Sequence, residues 1–365
     1  MANESGCVEM KKEFFYADIK QRALHIYQQY QWIIKEILGR DCFDCNLNFY
    51  IKEDARLGGK AWCKNKADHI LINSGVLDNF YEYFFWISTS QTKNILKISN
   101  ALDEDEMEGS YELLKFEHGQ AIMLDSKEID KKLAGLLTIF VSRFILTHEL
   151  GHLLNGHCAY ICTAYEHEDM QYIPMFDENR NTKSGTISPL DYRTMEMDAD
   201  AFAATDSFRN LIHLYECFED RVDVGLNLRP MELFHWWSFA IRSHFLISQR
   251  ILKDEEYRAD RTHLPSVARW SLIWGSISGL IENGIYKINY RDGDDEQKLV
   301  QSLVHGCLYA EVRYNDLFKT HYHFVEEIAG NEEYLHYVNE VQENWKTLRQ
   351  KLMPYARLPL YDPNA

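Results

Sequence analysis

The decapeptide His148-Glu149-Leu150-Gly151-His152-Leu153-Leu154-Asn155-Gly156-His157 constrains this chain more than any other stretch. It closes an apolar run in which Leu133, Leu136, Leu137, Phe140, Phe144 and Ile145 recur at helical spacing. On a helix, His148 and His152 are four apart and project to the same side. Two imidazoles so placed can hold one zinc ion, and Glu149 between them can take a proton from a water bound there. The run predicts a helix starting near Asp125-Ser126-Lys127-Glu128, an Asp-x-x-Glu capping box, and stopping at Asn155-Gly156. Gly151 lies between the two histidines, where it costs about 1 kcal/mol of helix propensity. A glycine there makes sense if another backbone comes close.

A catalytic zinc takes three protein ligands and keeps one open position. The pattern His-Glu-x-x-His-x-x-Gly-x-x-His does not supply the third, because Cys158 stands where its last histidine would be and the glycine comes one place late. Glu196 in Glu196-Met197-Asp198-Ala199-Asp200-Ala201-Phe202-Ala203 is the better candidate. Ser188-Pro189-Leu190-Asp191 starts that helix with a cap, a proline at the first position and an acid at the third, and it is expected to run to about Phe218. Glu196 and Asp200 share a face, so Glu196 can reach the metal while Asp200 accepts the second ring N–H of a ligand histidine. Asp198 lies about 200° around from Glu196 and is expected at the surface. Ala199, Ala203 and Ala204 leave room for close packing on the first helix. Glu166, His167 and Glu168 compete with Glu196 as third ligand. His157, about 180° from His148, reads as a structural hydrogen bonder rather than a ligand.

Together, His-Glu-x-x-His-x-x-x-x-His and Glu-x-x-Ala-Asp resemble the gluzincin metallopeptidases, in particular the HtpX and CAAX-protease-like group. ImmA-like and Lit-like peptidases are similar in general type. That group often carries a downstream His-Pro-x-x-x-x-Arg segment. Here Thr262-His263-Leu264-Pro265-Ser266-Val267-Ala268-Arg269 keeps the His-to-Arg spacing, with the proline displaced by one. The resemblance spans at most residues 60–270 and lacks that group's membrane helices. It implies one zinc per chain on His148, His152 and Glu196, with Glu149 as general base and then proton donor. It also implies His263 as oxyanion stabiliser, and Arg269 as a holder of nearby structure or of a carboxylate. The alternative is a zinc-stabilised binding or regulatory module that no longer cuts.

The remaining chain sets the frame. Residues 9–38 predict a helix with Phe14, Ile19, Leu24, Ile26, Trp32, Ile33 and Ile34 on its apolar stripe. Strands are expected over 46–51, 59–63 and 69–72, then a helix from Val76 to Trp86. The strand at His69–Ile72 is the expected sheet edge for an extended substrate. Leu102–Ser110 reads as an acidic exposed loop, and 165–187 as an irregular flap. From 231 onward helices dominate, with Trp236, Trp237, Trp270 and Trp274 in the core and a turn over Tyr290–Glu296.

The expected class is α+β and mainly helical: a zincin-like core with a small antiparallel sheet and the His-Glu-x-x-His helix packed on the Glu-x-x-Ala-Asp helix. Three regions are expected, 1–125, 126–270 and 271–365, joined in one compact unit. A net charge of −17 disfavours nucleic acid and anionic membranes as partners. No signal-like start and no unbroken apolar span are present, which leads to the expectation of a cytoplasmic chain without membrane insertion, acting on a protein or peptide. The eight cysteines include only one Cys-x-x-Cys, Cys42 to Cys45, and read as reduced thiols.

Overall fold

The computed structural model describes residues 5–40, 46–65, 67–88, 128–165, 172–174, 187–218, 228–252, 263–291 and 293–362. The acidic loop 102–110, the capping box at 125–127, the competing ligands 166–168 and most of the expected flap lie outside these residues.

Helix α1 (Ser5–Trp32) runs into a wider turn at Ile33–Ile37. Its buried stripe is Ile19, Ala23, Ile26, Tyr27 and Tyr30, continued by Ile34. Trp32, expected on that stripe, is instead 59% exposed, because Tyr30 and Ile34 occupy the inward positions beside it. Three strands follow, β1 (Leu47–Lys52), β2 (Gly59–Lys64) and β3 (Ala67–Asn73), and then helix α2 (Ser74–Ser88). Their alternation is legible in burial: Leu47, Phe49, Ala61, Ile70 and Ile72 face inward.

The sheet departs from expectation in two ways. Its order is β1-β3-β2-β4, with β4 at Tyr172–Pro174. β3 pairs antiparallel with β2 but parallel with β1, Leu47 lying opposite Asp68, so the sheet is mixed rather than antiparallel. β3 is therefore interior, and His69–Ile72 offers no free edge to a substrate strand. Alternating burial reports which face a residue takes; it carries no information on which strand lies beside it.

Helix α3 (Glu128–Leu154) carries the His-Glu-x-x-His segment across the inner face of the sheet. It ends at Gly156, whose φ of +84° suits a residue without a side chain. The chain's C-terminal stretch supplies part of that cap: the Arg357 N–H donates to the Leu154 carbonyl at 2.8 Å. By length and composition Lys132–Leu154 could cross a bilayer, but most of it is buried inside the molecule, as in a core helix.

A short helix, α4 (His157–Tyr165), precedes α5 (Pro189–Glu216), which begins as expected: Ser188 Oγ accepts from the Asp191 N–H at 3.0 Å. Helices α6 (Glu232–Leu252), α7 (Ser266–Glu282), α8 (Glu296–Phe318), α9 (Phe324–Ile328) and α10 (Glu332–Leu352) follow among the described residues. Asp295 caps α8, ending the expected turn. Trp237 and Trp270 are buried, while Trp236 and Trp274 pack partly buried against the core. The largest buried apolar cluster draws on all three expected regions, from Ile19 through Leu150 to Phe318. The protein is mostly helical with a small mixed sheet.

Candidate metal centre

Helices α3 and α5 touch backbone to backbone at the site. A methyl group on Gly151 would lie 3.2 Å from the Ala199 Cα, so the expected close approach is real. That proximity brings the polar faces of both helices into one buried cluster. His148, Glu149, His152, Glu196 and Asp200 are all at most 1% exposed.

Three residues meet in a small triangle, the two imidazole Nε2 atoms and the two oxygens of one carboxylate. His148 Nε2 and His152 Nε2 are 3.1 Å apart, His148 Nε2 lies 3.4 Å from Glu196 Oε2, and His152 Nε2 lies 3.3 Å from Glu196 Oε1. Zinc–nitrogen bonds of about 2.0–2.1 Å at tetrahedral angles require donor separations of roughly 3.3 Å. Separations of 3.1–3.4 Å are compatible with one shared ion, and these three residues are the metal-capable group found among the described residues.

Each histidine is held from behind. Asp200 Oδ1 lies 2.9 Å from His148 Nδ1. Arg269 on α7 grips the same carboxylate with two bonds, Nε to Oδ2 and Nη2 to Oδ1, both 2.7 Å. Asp200 accepts at Nδ1, which leaves His148 Nε2 to face the triangle. His152 Nδ1 lies 2.9 Å from His157 Nδ1. His157 Nε2 is 3.1 Å from Asp198 Oδ2, off the axis of the ring N–H, and Asn155 Nδ2 donates to that oxygen at 2.6 Å. Asp198, expected at the surface, is thus buried at 7% exposure. The helix α5 is covered on several sides, by α3, α7 and α10, so a residue facing away from Glu196 still meets protein.

The electrostatics follow from this burial. Burial alone would lower the His148 pKa, but Asp200 and Glu196 outweigh it and hold it up at about 9. Burial lowers His152 to about 3 despite the opposing pull of Glu196. Burial opposes ionisation of Glu196, yet His263, His148 and His152 together hold its carboxyl well below the usual range. Glu149 differs: burial pushes it up to about 8, with His148 and Arg269 pulling only partly against that. Both Glu149 oxygens, and both of Glu196, are buried without a hydrogen-bond donor. Ionising a carboxyl group in such surroundings is costly unless a cation or a water meets it: the neighbouring histidines do so for Glu196, whereas Glu149 has no hydrogen-bond donor among the described residues.

His263 stands at the rim, 16% exposed, with Nε2 3.8 Å from Glu196 Oε1. Arg269 Nη2 also lies 3.8 Å from Glu196 Oε2. His148, Glu149, His152, Glu196, Asp200, His263 and Arg269 therefore fall in one cluster, while the competing Glu166, His167 and Glu168 lie outside the described residues. Two were missed in that role: Asp198, and Gly59 on β2, whose Cα faces the Glu149 carboxylate. The odd acid between Glu196 and Asp200 was the signal for Asp198; Gly59 left none beyond a turn-like Gly58-Gly59 pair. The thiols of Cys63, Cys158 and Cys162 are free. No protein family, curated protein or solved structure matches this chain.

Proposed function

We propose that this protein is a zinc-dependent metalloendopeptidase with a zincin-like core, hydrolysing peptide bonds of a protein or peptide substrate. The observation that carries the reading is the triangle of His148, His152 and Glu196 with the unpartnered Glu149 carboxylate beside it. His148 and His152 through Nε2, and Glu196 through its carboxylate, would hold one zinc ion. Bound there, zinc supplies Lewis acidity, which polarises a carbonyl and lets a water lose a proton near neutral pH.

The chain's own groups do the rest. Glu149 takes the proton of the attacking water on its carboxylate and passes it to the departing amine nitrogen. Its burial raises its proton affinity, the property a proton acceptor needs. His263, at the solvent-reached rim, donates from its ring to the oxygen that gains charge as the carbonyl is attacked. Asp200 and Arg269 form a rigid backing that keeps His148 from rotating.

One observation favours the second reading, a non-cutting zinc-stabilised module: all three donors are buried, as in closed structural sites. Glu149 argues against it, because a scaffold gains nothing from a buried carboxylate without a donor. The deciding experiment measures bound zinc and cleavage of an unfolded protein substrate by wild type and Glu149→Gln. The peptidase reading expects zinc in both and cleavage only by wild type. A Glu149→Gln protein that keeps zinc and cuts at the wild-type rate overturns it.

A further inference from the structure

The two histidines of the triangle are backed differently. His148 leans on a carboxylate, as ligand histidines commonly do. His152 leans on a second histidine, and only that second ring reaches a carboxylate. We propose that Asp198 and His157 act as a tautomer relay that positions His152, keeping its Nε2 free of a proton and directed at the metal. This rests on the metal-site reading above, though not on peptide hydrolysis.

Donor and acceptor counting fixes the tautomers of both rings. A neutral imidazole has one N–H and one bare nitrogen. His152 Nδ1 and His157 Nδ1 are 2.9 Å apart, so one must donate and the other accept. If His157 donated from Nδ1, its bare, electron-rich Nε2 would lie 3.1 Å from the negative Asp198 Oδ2 with no proton between them, an electrostatic repulsion even though the oxygen sits off the ring axis. If His157 instead carries its proton on Nε2, that contact becomes attractive, and Nδ1 is left to accept. His152 must then donate from Nδ1, and its Nε2 is bare. The choice made by one carboxylate is thus passed through two rings to the donor atom 3.3 Å from Glu196 Oε1.

Asp198 is itself fixed by the 2.6 Å bond from Asn155 Nδ2. Asn155 and His157 flank Gly156 at the junction of α3 and α4, while Asp198 comes from α5. The relay therefore forms only when the two helices are packed. His157 and Asp198 touch no substrate in this scheme; they are positioning residues.

The test uses the full-length protein and zinc alone. Zinc affinity is measured by chelator competition in wild type, His157→Leu, His157→Asn and Asp198→Ala, alongside the melting temperature of each metal-free protein. An asparagine oxygen can stand in for Nδ1 as acceptor, so His157→Asn should stay within about threefold of wild type. His157→Leu and Asp198→Ala should bind zinc roughly 10- to 100-fold more weakly. Long-range proton–nitrogen NMR of the metal-free wild type should show His152 protonated at Nδ1 and His157 at Nε2. A merely structural role would lower melting temperature without this rescue by asparagine. The proposal is overturned if His157→Leu folds and binds zinc as tightly as wild type, or if His152 carries its proton on Nε2. The NMR result decides the matter if the leucine and alanine variants do not fold. Wild type that binds zinc but does not cleave overturns the peptidase reading and leaves the relay standing.

Discussion

Gly59 and Glu149 meet face to face: a methyl group added to Gly59 would lie 2.7 Å from Glu149 Oε1. The strand β2 therefore reaches into the site by having no side chain at that position. The clash would fall on the movable end of a side chain, so Gly59→Ala should fold, and its backbone needs no left-handed conformation. It should push the Glu149 carboxylate aside. Zinc content is expected to match wild type, while kcat falls about 100-fold, the scale of a lost general base. Full activity in a zinc-replete Gly59→Ala protein would show that Glu149 does not work from this position.

Arg269 and Asp200 form a buried bidentate pair behind His148. Removing the arginine takes the bidentate partner from a buried carboxylate and leaves it only His148, and breaking a buried pair in this way typically costs about 3–5 kcal/mol. Arg269→Ala should therefore lower the urea midpoint strongly. Arg269→Lys cannot reproduce the two-pronged grip and should fall between. Equal midpoints for alanine and wild type would mean that solvent reaches Asp200.

His244 on α6 sits among the rings of Phe80, Phe144 and Phe245, at centroid distances of 5.3, 6.0 and 4.8 Å. Neither ring nitrogen has a hydrogen-bond partner. Burial, with help from the charge of Arg269, lowers its pKa from 6.5 to about 3. Because the folded value is depressed, the unfolded chain binds the proton first as pH falls below 6.5, and stability drops until about pH 3. At about 1.4 kcal/mol per pH unit, moving from pH 7 to pH 5 should cost roughly 2 kcal/mol at this residue. His244→Leu should lack that part of the acid sensitivity. Denaturation at both pH values, with wild type and variant compared, checks this; identical pH dependence would refute a neutral buried His244.

Zinc should stabilise the fold as well as serve chemistry, because it would meet the buried Glu196 carboxylate. At free zinc a thousandfold above its dissociation constant, binding to the folded state alone adds about 4 kcal/mol. Chelation should lower the melting temperature of wild type markedly and that of Glu196→Gln much less. If chelation leaves wild-type melting unchanged, the triangle does not bind the metal.

Much of the site was legible because its logic is local. The four-residue spacings of His148 with His152 and of Glu196 with Asp200 follow from helix geometry, and Ser188-Pro189 states where the second helix begins. Asp198 was misjudged because angle around a helix predicts exposure only for a helix with one covered side, and α5 is covered on several. His69–Ile72 was misjudged because alternation cannot tell a central strand from an edge.

The sequence by itself determined the two helices, the stop of the first at Gly156, the serine cap that opens the second and the residue types that converge on the candidate metal, all of which depend on contacts within a few turns. Only the tertiary structure decided that β1 lies parallel beside β3, that Gly59 abuts Glu149, and that Asp198 reaches His157. Those relationships join segments distant in the chain, and no periodicity within a segment encodes which distant surface will cover it.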